Sequence, residues 1–173
     1  MRLLIVSDIH ASFREFSLAT RAWHRTLVNE DGREFLRLFP TLDWFEWGGR
    51  HFRIAHATAH GDMFEYLPQE QWGDRIKDID ADFVLLGHTH IQGMKSFGKT
   101  TVVNPGSVGL ARDCAGHACY AVFDGKEMIL KRVPYDVEKT IAALREAPLP
   151  GHVINGLAHV LQGSAAEGSQ SAS

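Results

Sequence analysis

The residues in this chain that are best suited to chemistry are an aspartate and several histidines that follow short apolar stretches. Asp8 and His10 come after one such stretch, and His88 and His90 come after another. In extended chain, residues two apart point to the same side. A carboxylate and imidazole rings at the carboxyl ends of strands can share a metal ion, because ligands of open α/β sheets bind at that edge.

Each of these two groups also has a purely structural interpretation. Asp8 can cap a helix beside a surface histidine at position 10. His88 and His90 can be two surface histidines in a loop, whereas as ligands they have the reach to serve two neighbouring ions. Gly87, directly before them, lets another backbone segment approach closely.

A fifth candidate ligand, His56, follows the apolar stretch that ends at Ala55 in the same way. His60 lies deeper in the following loop and is predicted to be a bystander. For the remaining five histidines a structural role is expected: His24, His51, His117, His152 and His159.

The turn from Asn104 to Ser107 follows another predicted strand. Its backbone N–H groups could face an anion, which makes Asn104 a candidate substrate-binding residue, or it could be only a tight turn. Cys114 and Cys119 are five residues apart without further cysteines, which is a poor pattern for zinc.

Composition indicates an ordinary globular chain of 173 residues with 45% hydrophobic and 23% charged residues. The net charge of −3 gives no signal for a general nucleic-acid binder. The two cysteines fit a reducing compartment, and no stretch has the length of a membrane span. We therefore expect a cytoplasmic protein without membrane association.

Apolar periodicity and turn residues predict an α/β chain in which sheet packs on sheet. Residues 1–162 are predicted to form one domain, and the small polar residues 163–173 a disordered tail. Strands are predicted at 2–7, 44–47, 51–55, 82–86, 99–103, 118–123 and 128–133, and helices at 13–28, 33–39, 69–79, 137–146 and 153–162.

Four segments together resemble the calcineurin-like metallophosphoesterases, and most of all their small bacterial and archaeal phosphodiesterase branch. They occur in the family's order: Asp8-Ile9-His10, His56-Ala57-Thr58, Gly87-His88-Thr89-His90 and Asn104-Pro105-Gly106-Ser107-Val108-Gly109. The resemblance implies two β-sheets packed face to face and flanked by helices. It also implies hydrolysis of phosphomonoesters or phosphodiesters through a metal-bound hydroxide.

By resemblance, Asp8, His10 and His90 match ligands of a first ion, and His56 and His88 match ligands of a second. The metal could be manganese, iron, zinc or nickel. The five matched ligands carry one negative charge, from Asp8, and two neighbouring divalent ions repel each other strongly. We therefore expect one bound ion, where the intact family has two.

Two motifs of the family are absent between His10 and His56: the Gly-Asp pair with the bridging aspartate, and the Gly-Asn-His triplet. Gly61-Asp62 and Gly73-Asp74 have the right residues but come after His56, so neither is assigned the bridging role. A deletion near residues 14–18 is inferred, with the loss of two strand units of the first sheet. The resulting exposed strand edge would favour a homo-oligomer.

Two functions follow from this pattern. The first is a metal-dependent phosphoesterase, impaired by the missing motifs, that acts on a phosphate-ester substrate. The alternative is a non-catalytic scaffold for protein–protein interaction, as in the phosphoesterase-like subunit of retromer. The missing motifs favour the scaffold, and the five retained ligand-type residues favour the enzyme.

Overall fold

Two β-sheets and four short α-helices form the part of the chain described by this computed structural model, which covers residues 2–8, 22–23 and 26–163. The strands are β1 (Leu3–Ile5), β2 (Leu42–Trp47), β3 (Arg50–Ala55), β4 (Phe83–Leu85), β5 (Gly93–Phe97), β6 (Thr100–Asn104), β7 (His117–Phe123) and β8 (Met128–Pro134). The helices are α1 (Glu30–Arg37), α2 (Trp72–Arg75), α3 (Val137–Glu146) and α4 (Gly151–Leu161), with a 3₁₀ turn at Gln69–Gln71.

The smaller sheet has the order β1-β7-β8 and is antiparallel throughout. The larger has the order β2-β3-β4-β6-β5. Its three central strands are parallel and its two edge strands antiparallel. The carboxyl ends of β3, β4 and β6 therefore meet at one edge of the sheet, which is where polar residues follow each strand.

The core between the sheets is built around Phe52 of β3, which is 1% exposed. Its ring stacks on Phe45 and Phe83 with centroids 4.9 and 5.0 Å away, and meets Phe123 of the other sheet edge-on at 5.3 Å. Residues of six strands join this cluster, which holds the two sheets face to face.

Several sequence predictions are confirmed by this architecture. The strands predicted at 44–47 and 51–55 form the β2–β3 hairpin, which turns at Gly48 and Gly49, both with positive φ as a tight two-residue turn requires. The helix predicted at 137–146 is α3, which Asp136 caps by accepting a hydrogen bond from the Lys139 N–H at 3.2 Å. The fold class of two packed sheets flanked by helices is the predicted one.

Other predictions were wrong or shifted. The helix expected over 69–79 shrinks to the 3₁₀ turn and α2, and Ile76 and Ile79 pack into the core from a turn. Strand β5 was missed because its central residues Met94 to Ser96 are exposed and carry no apolar alternation. Helix α1 begins three residues earlier than the predicted start at residue 33, because Asn29 caps it by accepting a hydrogen bond from the Gly32 N–H.

The predicted helix over 13–28, the deletion near 14–18 and the tail beyond Gly163 fall largely or wholly outside the described residues. Within those residues β1 pairs on one side, with β7, and forms an edge of the smaller sheet. Self-association through that edge stays a prediction. None of the described helices has the length and hydrophobicity to cross a membrane.

Replacing Phe52 by Ala is expected to lower the free energy of unfolding by about 3–5 kcal/mol, because it leaves a cavity among the three aromatic rings that pack against it. Trp44→Ala is the matched control, since Trp44 is an aromatic residue of the paired strand that is 76% exposed. The control should change stability by about 0.5 kcal/mol or less. Urea unfolding followed by fluorescence measures both, and equal losses would contradict a core centred on Phe52.

Candidate metal site at the strand ends

Four of the predicted ligands lie together where strands of both sheets end: Asp8, His56, His88 and His90, which we call the strand-end cluster. Asp8 follows β1 of the smaller sheet, His56 follows β3, and the two other histidines follow β4. The clearest link between the sheets is the His88 backbone N–H, which donates to Asp8 Oδ2 at 2.8 Å. The cluster thus gathers residues from distant parts of the sequence, but Asp8 reaches it from the antiparallel smaller sheet and not from the edge of parallel strands that the strand-end argument assumed.

Asp8 is the buried anion of this cluster, and its side chain is fully removed from solvent. Oδ2 accepts hydrogen bonds from the Ser7 hydroxyl at 2.5 Å and from the His88 N–H. Oδ1 is buried and accepts no hydrogen bond from the residues that the structure describes. Burial raises the pKa of Asp8, but the adjoining His90, the Ser7 hydroxyl and His56 together lower it to about 2, so the group is ionised at neutral pH.

His90 faces that carboxylate oxygen from the other sheet, with Nε2 3.4 Å from Asp8 Oδ1. Its other ring nitrogen, Nδ1, lies 2.9 Å from the Leu110 carbonyl oxygen, which can only accept a hydrogen bond. Nδ1 therefore carries the proton, and in the neutral ring Nε2 presents a lone pair to an anion. A cation between the two atoms satisfies both of them, either a proton or a metal ion.

His56 and His88 form the second half of the cluster. His88 Nδ1 lies 3.1 Å from His56 Nε2, and the two ring centroids are 4.9 Å apart. His88 Nε2 lies 3.2 Å from the Phe64 carbonyl oxygen, which orients the ring as Leu110 orients His90. His56 Nε2 is 4.0 Å from Asp8 Oδ1, so this carboxylate oxygen faces His56 as well as His90.

The backbone is strained at three of these four residues. Asp8, His88 and His90 have φ values of 50°, 67° and 60°, and they are the only non-glycine residues with positive φ among those the structure describes. Such a conformation costs about 1–3 kcal/mol per residue, and strain of this kind is concentrated at functional sites. We predicted from an extended backbone that side chains two residues apart, such as those of His88 and His90, point to the same side. The left-handed conformation of these residues shows that the backbone here is not extended.

The loop after β6 holds the strand-end cluster through hydrogen bonds of Ser107. The Ser107 hydroxyl donates to the Asp8 carbonyl oxygen at 2.6 Å and accepts from the Leu110 N–H at 2.8 Å. It thereby connects the backbone of Asp8 to the residue whose carbonyl orients His90. Sequence reasoning placed Ser107 in the resembling motif but missed this role, which depends on the long-range contact to Asp8.

Asn104 is the last residue of β6, directly before the same loop, and is 1% exposed. Its amide Nδ2 donates to the Gly87 carbonyl oxygen at 2.8 Å and to the Thr89 hydroxyl at 3.1 Å, while Oδ1 accepts from the Gly106 N–H at 2.9 Å. These contacts make Asn104 a positioning residue for the histidine loop. Substrate contact by Asn104 stays a prediction.

Gly87 is where the two sheets approach most closely at the site. A Cβ atom there would lie 2.1 Å from Ser7 Oγ and 2.8 Å from Asp8 Oδ2, and the Gly87 N–H donates to the His56 carbonyl oxygen at 2.7 Å. The predicted need for a glycine at this close approach is confirmed.

One pair of atoms in the strand-end cluster has the spacing of two ligands of the same divalent ion. Ligands about 2.0–2.2 Å from one tetrahedral ion lie about 3.4 Å from each other, which is the separation of Asp8 Oδ1 and His90 Nε2. Within residues 2–8, 22–23 and 26–163, no three His, Cys, Asp or Glu side chains form a group that could hold a metal ion. The third ligand assigned to the first ion by resemblance, His10, lies outside these residues.

No metal was assigned to His60, Asp62 or Asp74 from the sequence, and each of these side chains has other partners. His60 lies 3.1 Å from Asp78 on the surface, and Asp62 accepts from the N–H groups of Phe64 and Glu65 within its own loop. Asp74 pairs with Lys77 in solvent. Each of these contacts lies apart from the strand-end cluster.

Residues 26–128, more than half of the chain, match the calcineurin-like phosphoesterase superfamily domain. This segment contains His56, His88 and His90 and begins after Asp8. The chain is also 26% identical over 158 residues to an uncharacterised protein of Methanocaldococcus jannaschii. That match takes in 80% of this chain, which spans 63% of the length of the archaeal relative.

Two solved structures resemble the fold. A metallophosphoesterase from Sphaerobacter thermophilus superposes with a TM-score of 0.69 at 21% identity, over 87% of this chain and 71% of that one. A protein from Pyrococcus horikoshii superposes with a TM-score of 0.66 at 20% identity, over 87% and 66% of the two chains. At these identities the likeness concerns the fold.

Replacing Gly87 by Ala is expected to destabilise the protein by about 1–3 kcal/mol, because the new methyl group overlaps Ser7 and Asp8. Gly151→Ala is the matched control, since a Cβ atom there meets nothing within 4 Å and neither glycine has a positive φ. Urea unfolding of both variants tests the packing at the site, and a Gly87→Ala protein as stable as the control would contradict it.

Proposed function

Because the chain belongs to the calcineurin-like phosphoesterase superfamily, we propose that it is a metal-dependent phosphoesterase acting on phosphomonoesters or phosphodiesters. The observation that carries the proposal is Asp8 Oδ1. This buried carboxylate oxygen accepts no hydrogen bond from the described residues and faces Nε2 of His90 at 3.4 Å. That is the separation of two ligands of one tetrahedral ion, and a divalent ion is the cation that the family's chemistry uses.

Asp8 and His90 would hold the ion together with His10, and His56 and His88 would face the same region from the side of β3. When bound, a divalent ion supplies positive charge to the phosphate oxygens and acidity to the attacking water. The protein's own contribution is positional. Leu110 fixes the tautomer of His90, Ser107 holds the Asp8 backbone, and the Phe64 carbonyl oxygen orients His88.

The charge of the cluster favours one ion over two. Among its four described side chains only Asp8 contributes a negative charge, and its Oδ2 is already engaged by two hydrogen-bond donors. A second divalent ion would meet two imidazole rings and no second carboxylate, so its repulsion from the first would be poorly compensated. We therefore propose a single-ion hydrolase for this chain, with manganese, iron, zinc or nickel as candidate metals.

His90→Ala is expected to lower manganese-dependent hydrolysis of 4-nitrophenyl phosphate and of bis-4-nitrophenyl phosphate by about 100-fold or more, since it removes a direct ligand. His60→Ala is the matched control, because His60 is an exposed histidine paired with Asp78. It should retain the parent rate. Steady-state assays with and without chelator measure both variants.

Two results would contradict the proposal. One is a His90→Ala protein as active as the parent, and the other is a folded parent with no hydrolysis of either ester after metal loading. The second result would favour the scaffold hypothesis, in which partner binding is insensitive to chelator.

A further inference from the structure

A cavity of about 530 Å³ opens directly beside the strand-end cluster. Asp8, His56 and Gly87 form one side of it, so the cavity and the cluster share residues. The other walls come from the ends of β1, β3 and β4 and from the segment that connects α1 to β2. Its volume lies within the range of about 300–1,000 Å³ that small-molecule sites occupy.

The walls away from the cluster are apolar and reachable from solvent. Val6, Phe39 and Ile54 line the cavity and are 45%, 59% and 40% exposed. Met63 lines it from the loop that also carries Phe64, the residue that orients His88. Exposed apolar side chains that converge on a concave surface next to polar groups are typical of a ligand site.

The charges in the cavity restrict what it can hold. The ionisable side chains among its described lining residues are Asp8, Asp43 and His56, and neither lysine nor arginine is among them. With two carboxylates and neither lysine nor arginine among these lining residues, a second phosphate or a carboxylate group is disfavoured. They leave an uncharged group as the best occupant of the apolar part.

We propose that this cavity binds the uncharged, apolar alcohol part of a phosphate ester while the phosphate lies at the strand-end cluster. The proposal rests on the proposed phosphoesterase function and adds a substrate class to it: esters of aromatic or bulky aliphatic alcohols, in preference to esters whose alcohol part carries charge. The two parts of the site are contiguous, since Asp8 and His56 belong to both.

The first test compares phenyl phosphate with 2-naphthyl phosphate as substrates of the manganese-loaded full chain. The second aromatic ring is expected to lower KM about tenfold with little change in kcat, because it is bound equally before and during the reaction. Ile54→Ser should bring the two KM values together. Met94→Ser is the matched control, since Met94 is a strand residue 45% exposed outside the cavity lining, and it should keep the difference.

Binding of 2-naphthol, followed by its fluorescence, gives a readout that needs no catalysis. Saturable binding of 2-naphthol that is lost in Ile54→Ser and kept in Met94→Ser supports the cavity proposal. If such binding is seen but neither ester is hydrolysed, the proposed function fails and the cavity proposal does not. Val6→Ser provides a second variant on the opposite wall if Ile54→Ser does not fold.

Equal KM values for the two esters, unchanged by Ile54→Ser, would overturn the cavity proposal and leave the phosphoesterase standing. A dimer in size-exclusion chromatography that dissociates in Ile54→Ser, without 2-naphthol binding by the parent, would also overturn it. That result would make a second copy of the chain the occupant of this surface.

Discussion

A buried carboxylate joins the two sheets at the edge where the candidate site lies. Asp8 belongs to the smaller sheet, yet its Oδ2 accepts from the His88 N–H of the larger sheet. The Ser107 hydroxyl, on the loop after β6, donates to its carbonyl oxygen. An ionised group without solvent contact is costly unless other groups compensate its charge. The positions of the histidines, the close approach of Gly87 and the bracing by Asn104 all follow from that compensation.

The backbone is strained where this carboxylate meets the larger sheet. Asp8, His88 and His90 adopt left-handed conformations that side chains rarely take, and each contributes strain at the point where the sheets meet. A protein that needed only a stable core could satisfy this carboxylate at Oδ1 with an ordinary hydrogen-bond donor. Here Nε2 of His90 faces that oxygen at 3.4 Å, a separation that two ligands of one tetrahedral ion would also have.

Sequence reasoning grouped Asp8, His56 and His88 because strand ends can be recognised locally. The apolar stretches before these residues are short and sharply bounded. Parallel pairing of β3 and β4 brings His56 and His88 together, whereas Asp8 reaches them through the packing of the two sheets. Sequence reasoning did not find the groups that orient the site. The carbonyl oxygens of Leu110 and Phe64 have no side-chain signature, and Asn104 is explained by contacts to two residues of another loop.

The errors have a common physical origin in tertiary contacts that replace local preference. The segment over 69–79 has a helical pattern, but its isoleucines pack into the core from a turn. Strand β5 has weak strand propensity and forms through pairing with β6 along its full length. The extended geometry assumed for the His88 to His90 pair fails because three hydrogen bonds hold the backbone of this loop. They come from the Asp8 carboxylate, the Asn104 side-chain amide and the Arg112 backbone N–H.

The central claim is that Asp8 and His90 share one divalent ion, and metal stoichiometry tests it most directly. The protein would be purified without chelator, loaded with manganese, separated from unbound metal and analysed by elemental mass spectrometry. The account predicts one ion per folded chain, lost in both Asp8→Asn and His90→Ala and retained in His60→Ala. A folded parent that retains no ion, or an ion that survives both substitutions, would contradict it.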